Sequence, residues 1–224
     1  MKKLILILTS GLLMLGLTAC GSNAPSDVSE KTDASEIEST QVPGPSEGTL
    51  EKETEGSSPE SSGDKGKEVL VVYFSATGNT KGVAELIADI TDADIYEIKA
   101  LQEYTSDDLN WNDDDSRTTK EQNDASARPE IGSDPLSLDG YKTIYIGYPI
   151  WWGQEPRIMD TFVEGYDFSG ITVIPFCTSG SSGIGNSGNA LSANAGSGNW
   201  LEGRRFGADV SREELESWIN GLQD

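Results

Sequence analysis

From residue 68 onward, unbroken apolar runs alternate with spaced apolar positions. Val69 to Phe74 reads VLVVYF without a polar interruption, the pattern of a strand buried on both faces of a parallel sheet. After a short polar loop, Val83, Leu86, Ile87 and Ile90 stand at i, i+3, i+4 and i+7 and predict one apolar stripe on a helix. Ile95 to Ile98 predicts a short second strand, and Thr143 to Tyr148 (TIYIGY) a third. Between them, residues 101–135 are polar and aspartate-rich and follow neither period. Pro156 suits the first turn of a helix with Ile158, Met159, Phe162 and Val163 on its apolar face, stopped at Gly165. Ile171 to Cys177 (ITVIPFC) predicts a fourth strand. A glycine-serine stretch with a weak helix at 190–195 follows, and Arg204 to Phe206 predicts a fifth, edge strand. Ser211 with Glu214 forms a capping box, and Leu215, Trp218, Ile219 and Leu222 then mark the core face of a last helix. Strand and helix in alternation predict a doubly wound α/β domain over 68–224.

Ligands of such sheets bind beyond the carboxyl ends of the strands, where the strand order reverses. Three loops leave carboxyl ends: 75–80, 148–154 and 178–185. In the first, Ser75, Thr77 and Thr80 offer hydroxyls, Asn79 an amide and Gly78 a tight turn. A helix N-terminus follows, so an anion is favoured there. No Gly-Lys-Ser/Thr follows, and Lys81 is misplaced for a Walker A loop. Many hydroxyls and little charge suit a terminal phosphomonoester; the alternative is a polar turn with a Thr cap.

Tyr73-Phe74-Ser75-Ala76-Thr77-Gly78-Asn79-Thr80 resembles the phosphate loop of flavodoxins, which holds the phosphate of FMN. The similarity runs along 68–222 and is strongest to a flavodoxin-like FMN-binding family of bacterial proteins, often lipid-anchored. It rests also on Gly147-Tyr148-Pro149-Ile150-Trp151-Trp152-Gly153, on Cys177-Thr178-Ser179-Gly180-Ser181-Ser182-Gly183, and on Asp108 to Asn112 with Ser116-Arg117. The resemblance implies a five-stranded parallel sheet in the order 2-1-3-4-5, helices on both faces, and FMN as cofactor. It implies cofactor contacts from Ser75, Thr77, Gly78, Asn79, Thr80, Pro149, Ile150, Trp151, Trp152, Gly153, Thr178, Ser179, Gly180 and Gly183. Trp151 and Trp152 suit a flat isoalloxazine, unless they are core beneath a helix start. Thr178 to Gly183 offers hydroxyls and N–H groups to the pyrimidine edge but no aromatic ring, which leaves one flavin face open.

Several weaker signals read as structural. Gly183 to Gly188 matches G-x-G-x-x-G but lies several residues past its strand. Asp113 to Asp115 lacks the glycine and closing glutamate of a calcium loop. Cys177 ends a buried strand and reads as a small core residue. Arg117 and Arg128 are expected to pair with nearby aspartates.

Composition narrows the function. There is no histidine, so Ser-His-Asp hydrolysis and His-ligated metal sites are excluded, and no metal is expected. The net charge of −22 repels phosphate backbones, so no nucleic-acid partner is expected.

The first 20 residues, MKKLILILTSGLLMLGLTAC, read as a lipoprotein signal peptide: Lys2 and Lys3, a short apolar stretch, then Leu17-Thr18-Ala19-Cys20 before Gly21. This resembles the bacterial lipobox, in which Cys20 is acylated. Residues 21–67, rich in Ser, Gly, Pro and Thr, read as a disordered acidic tether. The expectation is an electron carrier at the outer face of the cytoplasmic membrane, with an unidentified redox donor and acceptor. Two alternatives stay open: an NAD(P)H-dependent quinone-type oxidoreductase on the same FMN site, and a non-redox binding module that lost the flavin.

Overall fold

The structure, a computed structural model, describes residues 66–222. The signal peptide, Cys20 and all but the last two residues of the tether lie outside the described residues. Eleven elements follow in order among the described residues: β1 (Val69–Phe74), α1 (Asn79–Thr91), β2 (Asp94–Ile98), α2 (Arg117–Asn123), β3 (Thr143–Pro149), α3 (Arg157–Glu164), β4 (Thr172–Thr178), α4 (Ser187–Ala195), β5 (Asn199–Trp200), β6 (Arg204–Phe206) and α5 (Arg212–Gly221). These strands pair in parallel, and the main path runs β2-β1-β3-β4-β5.

The fifth position of the sheet holds two short strands instead of one. Both β5 and β6 pair with β4, at Thr172–Val173 and at Phe176–Thr178. The gap lies opposite Pro175. Val173 accepts from Leu201 and Ile171 from Asn199 across this edge, so alternation turns Pro175 to the same side. Its missing N–H interrupts the ladder there, and a proline in a sheet is tolerated at such an edge.

The apolar runs do what unbroken runs do in parallel sheets: they are covered on both sides. On one face, Leu70, Ile144, Ile146 and Val173 pack under α3 and α4 through Ile158, Phe162 and Leu191. On the other, Val71, Tyr145, Ile174 and Phe176 pack under α1 and α5 through Val83, Ile87, Leu215 and Trp218. The buried face of α1 is Val83, Ala84, Ile87 and Ala88, with the predicted Leu86 and Ile90 at its margin. Alanines suffice where a helix lies close to the sheet. All four predicted apolar residues of α3 are buried. Ser211 caps α5 by accepting from the Glu214 N–H at 3.2 Å.

The aperiodic 101–135 segment contains α2 and a series of turns. Polar bonds to the chain hold it: Thr118 Oγ1 donates to the Asp108 carbonyl at 2.6 Å and Gln122 Nε2 to the Glu155 carbonyl at 3.0 Å. Among the described residues, no helix is long and apolar enough to cross a membrane.

Candidate functional site

The site begins where β1 turns into α1. Gly78 adopts φ 87°, a left-handed backbone that side-chain-bearing residues rarely take. This turn aims the start of α1 at the carboxyl edge of the sheet. The helix has no side-chain N-cap and no acidic residue in its first turn, so its leading N–H groups are left for another acceptor. The Ser75 hydroxyl does not point at that position. It accepts from the Gly78 N–H at 3.1 Å and braces the turn. Thr80 is buried, and its hydroxyl lies 2.8 Å from that of Thr178. This contact pins the start of α1 to the end of β4. Thr77, Gly78 and Asn79 are the exposed members of the loop.

Loops two and three leave the sheet side by side, because Pro149 pairs with Thr178 and the Ile150 N–H donates to the Thr178 carbonyl at 3.0 Å. Trp151 and Gln154 exchange both backbone hydrogen bonds at 2.9 Å. Between them Trp152 (φ 49°) and Gly153 (φ 78°) are left-handed, the mark of a type I′ turn. Trp151 is held edge-on by Phe74 (5.6 Å between ring centres) and Tyr104 (5.3 Å). Arg117 lies 4.0 Å over the Tyr104 ring and pairs with Glu121 at 2.7 Å.

Thr77, Asn79, Pro149, Ile150, Trp151, Thr178, Ser179 and Gly180 line one open cleft of about 330 Å³. Thr80, turned toward Thr178, Ser75, Gly78, Trp152, Gly153 and Gly183 are not among the cleft's lining residues. Residues from the end of β6 complete the cleft: Arg205, Gly207, Ala208 and Asp209. Sequence reading missed them, although the carboxyl end of the edge strand was the available signal. Arg205 braces loop three, its Nη2 donating to the carbonyls of Ser179 (2.5 Å) and Gly180 (2.8 Å). A Cβ placed on Gly180 would meet nothing within 4 Å, so the free volume reaches the loop backbone.

The weaker signals resolve into packing. Cys177 is buried, and burial pushes its thiol up to about 12, so it carries no thiolate at neutral pH. Arg117 and Arg128 do pair structurally, but with Glu121 and Glu164 in place of the expected aspartates. Ser187, inside the glycine motif, meets the Tyr148 hydroxyl at 2.9 Å and docks α4 on β3. Asp113 accepts from the Asp115 N–H in a local turn. Among the described residues no cluster of His, Cys, Asp or Glu is arranged to hold a metal.

A doubly wound sheet whose switch-point loops frame one cleft, with an uncapped helix start among its lining, is an arrangement that can take an anionic group. The family model for flavodoxin matches residues 68–222, and the chain belongs to the flavodoxin family. The family carries a flavin cofactor in redox proteins. Among solved structures, the chain is similar to a provisionally designated flavoprotein of Bacteroides uniformis (48% identity, TM-score 0.66, 69% of this chain and 99% of that one). It is also similar to one of Bacteroides eggerthii (42% identity, TM-score 0.66, 70% and 98%). At 23% identity and TM-score 0.53, covering 70% of this chain and 99% of that one, a flavoprotein of Lactobacillus acidophilus in complex with FMN shares the fold. A search of curated proteins finds no match.

Proposed function

We propose that the protein binds FMN in the cleft at the carboxyl edge of the sheet and serves as an electron carrier on the outer face of the cytoplasmic membrane, anchored by a lipid on Cys20. The observation that carries the FMN reading is the uncapped N-terminus of α1 behind Gly78, beside the hydroxyl and amide of Thr77 and Asn79. Backbone N–H groups and a helix dipole hold a phosphate without a formal cation. Lys81 stays outside the cleft, 3.9 Å from Glu85. The FMN complex of the L. acidophilus structure supports the same choice.

When bound, FMN accepts and releases electrons at its ring system. The chain's own part is to seat it. Thr77, Asn79 and the first turn of α1 hold the phosphate end. Loops two and three flank the ring, with Trp151 locked in place by Phe74 and Tyr104. The Gly180 backbone, its carbonyl fixed by Arg205, offers its N–H at the pyrimidine edge, while the Ser179 N–H is held by the Phe206 carbonyl. The acidic surface, 27 acids against 10 bases over 68–224, steers docking of a basic redox partner.

Purified full-length protein should be yellow, and denaturation should release FMN identified by mass. A colourless protein that takes up no FMN when reconstituted would exclude the reading. Cys20→Ser should move the protein from the membrane to the soluble or precursor fraction; unchanged retention with no lipid on the wild type would remove the anchor.

A further inference from the structure

The start of α3 carries a buried charge cluster outside the cleft. Glu155, Arg157, Asp160 and Gln122 are each at most 8% exposed. Arg157 stands in the first turn of its helix, where the helix dipole disfavours a cation. Its Nη1 donates to Asp160 Oδ2 at 3.3 Å, and Asn194 of α4 donates to the other oxygen of that carboxylate at 2.8 Å. Its Nη2 donates to the Gln122 carbonyl at 3.3 Å and to Gln154 Oε1 at 3.2 Å. Gln122 Nε2 in turn donates to the Glu155 carbonyl at 3.0 Å. The cluster thus ties the end of loop two to α2 and α3. The Gln154 backbone is bonded to Trp151, which lines the cleft.

Two buried atoms of this cluster have no hydrogen-bond partner among the described residues: the acceptor Gln122 Oε1 and the donor Arg157 Nε. Native proteins leave few such atoms, and stability alone does not account for a pair of them. Glu155 sits beside both. Gln122 Nε2 donates to its carbonyl, and its carboxyl lies 3.9 Å from Arg157 Nη1, beyond hydrogen-bond distance. A protonated Glu155 has an O–H to give, and Gln122 Oε1 is the open acceptor. An ionised Glu155 needs a donor, and Arg157 Nε is the open one. One orphaned atom suits each protonation state.

The groups that face Glu155 bring its titration into the neutral range. From α3 come Arg157 and Asp160, of opposite sign, and from β3 the Tyr148 phenol, which burial keeps uncharged. From α2 comes the uncharged Gln122, with the exposed Asp124 at the helix end acting on Arg157. Arg128 acts on Asp160 but is engaged by Glu164 at 2.7 Å. From α4 comes the uncharged Asn194, on Asp160. Burial, reinforced by Asp160 and opposed by Arg157, carries the Glu155 carboxyl up to about 7, so both protonation states are populated near neutral pH.

We propose that Glu155 and Arg157 are positioning residues that form a proton-operated latch holding loop two against α2. With Glu155 protonated, its O–H donates to Gln122 Oε1, and Arg157 keeps its hold on Asp160, Gln154 and the Gln122 carbonyl. When that O–H bond breaks and the proton passes to water, the carboxylate accepts from Arg157 Nε. The guanidinium is planar and rigid, so Nη2 turns with it and releases Gln154. The turn that carries Trp151 is then less firmly held. FMN binding therefore weakens as pH rises, and bound FMN reciprocally strengthens the hold on the proton. The control of FMN rests on the flavin reading, but the latch itself does not.

The test compares full-length wild type, Glu155→Gln and Gln154→Ala between about pH 6 and about pH 8. Flavin-fluorescence titration reads the FMN dissociation constant, and NMR of isotope-labelled protein reads the Trp151 and Gln154 backbone amides. Over this range the wild-type dissociation constant should rise about threefold or more beyond that of Glu155→Gln. In that variant an uncharged amide replaces the acid, while the FMN phosphate titrates as before. Gln154→Ala, at an exposed position, cuts the tie between Arg157 and loop two and should remove the excess. A through-space effect of the Glu155 charge would survive it. Gln154→Ala also keeps the comparison available if Glu155→Gln folds poorly. In wild type both amides should follow one titration at about 7 that Glu155→Gln lacks. Equal pH dependence in wild type and Glu155→Gln, or full dependence retained in Gln154→Ala, would overturn the latch. If the protein takes up no FMN, the flavin reading fails and the amides decide alone. A titration that Glu155→Gln abolishes then upholds the latch, and amides indifferent to pH overturn it.

Discussion

At the scale of single residues, Thr77 and Thr80 show why a motif residue and a site residue are different things. Both belong to one hydroxyl-rich loop, but Thr77 is exposed on the cleft and Thr80 is buried against Thr178. Thr77→Ala should weaken FMN binding about tenfold or more, since a hydrogen bond to a charged group contributes about 1.5–3 kcal/mol, with no change in melting temperature. Thr80→Ala leaves the buried Thr178 hydroxyl without its partner, at a cost of about 1–3 kcal/mol, and should lower the melting temperature of the cofactor-free protein. Thermal melts and flavin-fluorescence titrations of both variants separate the two roles. Trp152 makes the opposite case. Removing its ring by Trp152→Gly relieves a left-handed backbone, so the melting temperature should hold or rise despite the loss of a large side chain. A clear drop would mean that the indole is there for packing.

Elements differ in how openly the sequence declares them. The strands β1, β3 and β4 could be read almost to the residue, because burial on both faces demands an uninterrupted apolar run. The same was true of α3, whose four apolar positions are all buried. The segment around α2 was opaque for a physical reason. Its seven residues bury Thr118, Thr119 and Gln122, and hydrogen bonds to the carbonyls of Asp108, Asp113 and the distant Glu155 fix it, which no apolar period can reveal. The split of the edge strand opposite Pro175, and the contribution of Arg205 to the cleft, likewise depend on pairing across the fold. Loops one, two and three were legible as a site because each combines a strand end with residues that a plain turn does not need. Gln122 also touches a buried charge cluster at the start of α3. Arg157 there lies 3.3 Å from Asp160 and 3.9 Å from Glu155, both carboxylates being almost fully buried. Burial, reinforced by the charge of Asp160 and opposed by Arg157, lifts the Glu155 carboxyl from 4.5 to about 7. The folded state therefore holds this proton more tightly than the unfolded chain. Its contribution to stability is fully present below the unfolded value and is lost as pH rises through about 7. The loss is about 1.4 kcal/mol for each tenfold difference in proton affinity between the folded and unfolded chain. Glu155→Gln should abolish that loss. Melting wild type and variant side by side from about pH 5 to about pH 8 should show the variant gaining relative stability as pH rises. A constant difference would mean that Glu155 is ionised throughout.

At the scale of the whole molecule, the core and the site are separate structures. One apolar cluster fills the space between the sheet and α3–α4, the other that between the sheet and α1–α5. The cleft lies at the strand ends, bounded by loops. Nothing in either cluster depends on a ligand, so the domain should fold without its flavin. The proposed anchoring outside the membrane would give this independence a purpose. Residues 1–20 carry Lys2-Lys3 and no twin arginine, which predicts export as an unfolded chain, and an unfolded chain has no cleft to carry FMN across. On the proposed export, the domain would fold outside as the apo form, or around flavin present there, and wait for its cofactor with packed strands. Binding to the native state alone stabilises it by RT ln(1 + [L]/Kd), about 2.7 kcal/mol at a free ligand concentration of 100 Kd. For a domain of this size that corresponds to roughly 5–10 °C in melting temperature. Cofactor-free protein should melt cooperatively above physiological temperature, and added FMN should raise the midpoint by that amount. The same apo protein should recover its flavin from dilute solution without a denaturation step. An apo form that is unfolded at physiological temperature, or that takes up FMN only during refolding, would show that the cleft and the core are not independent.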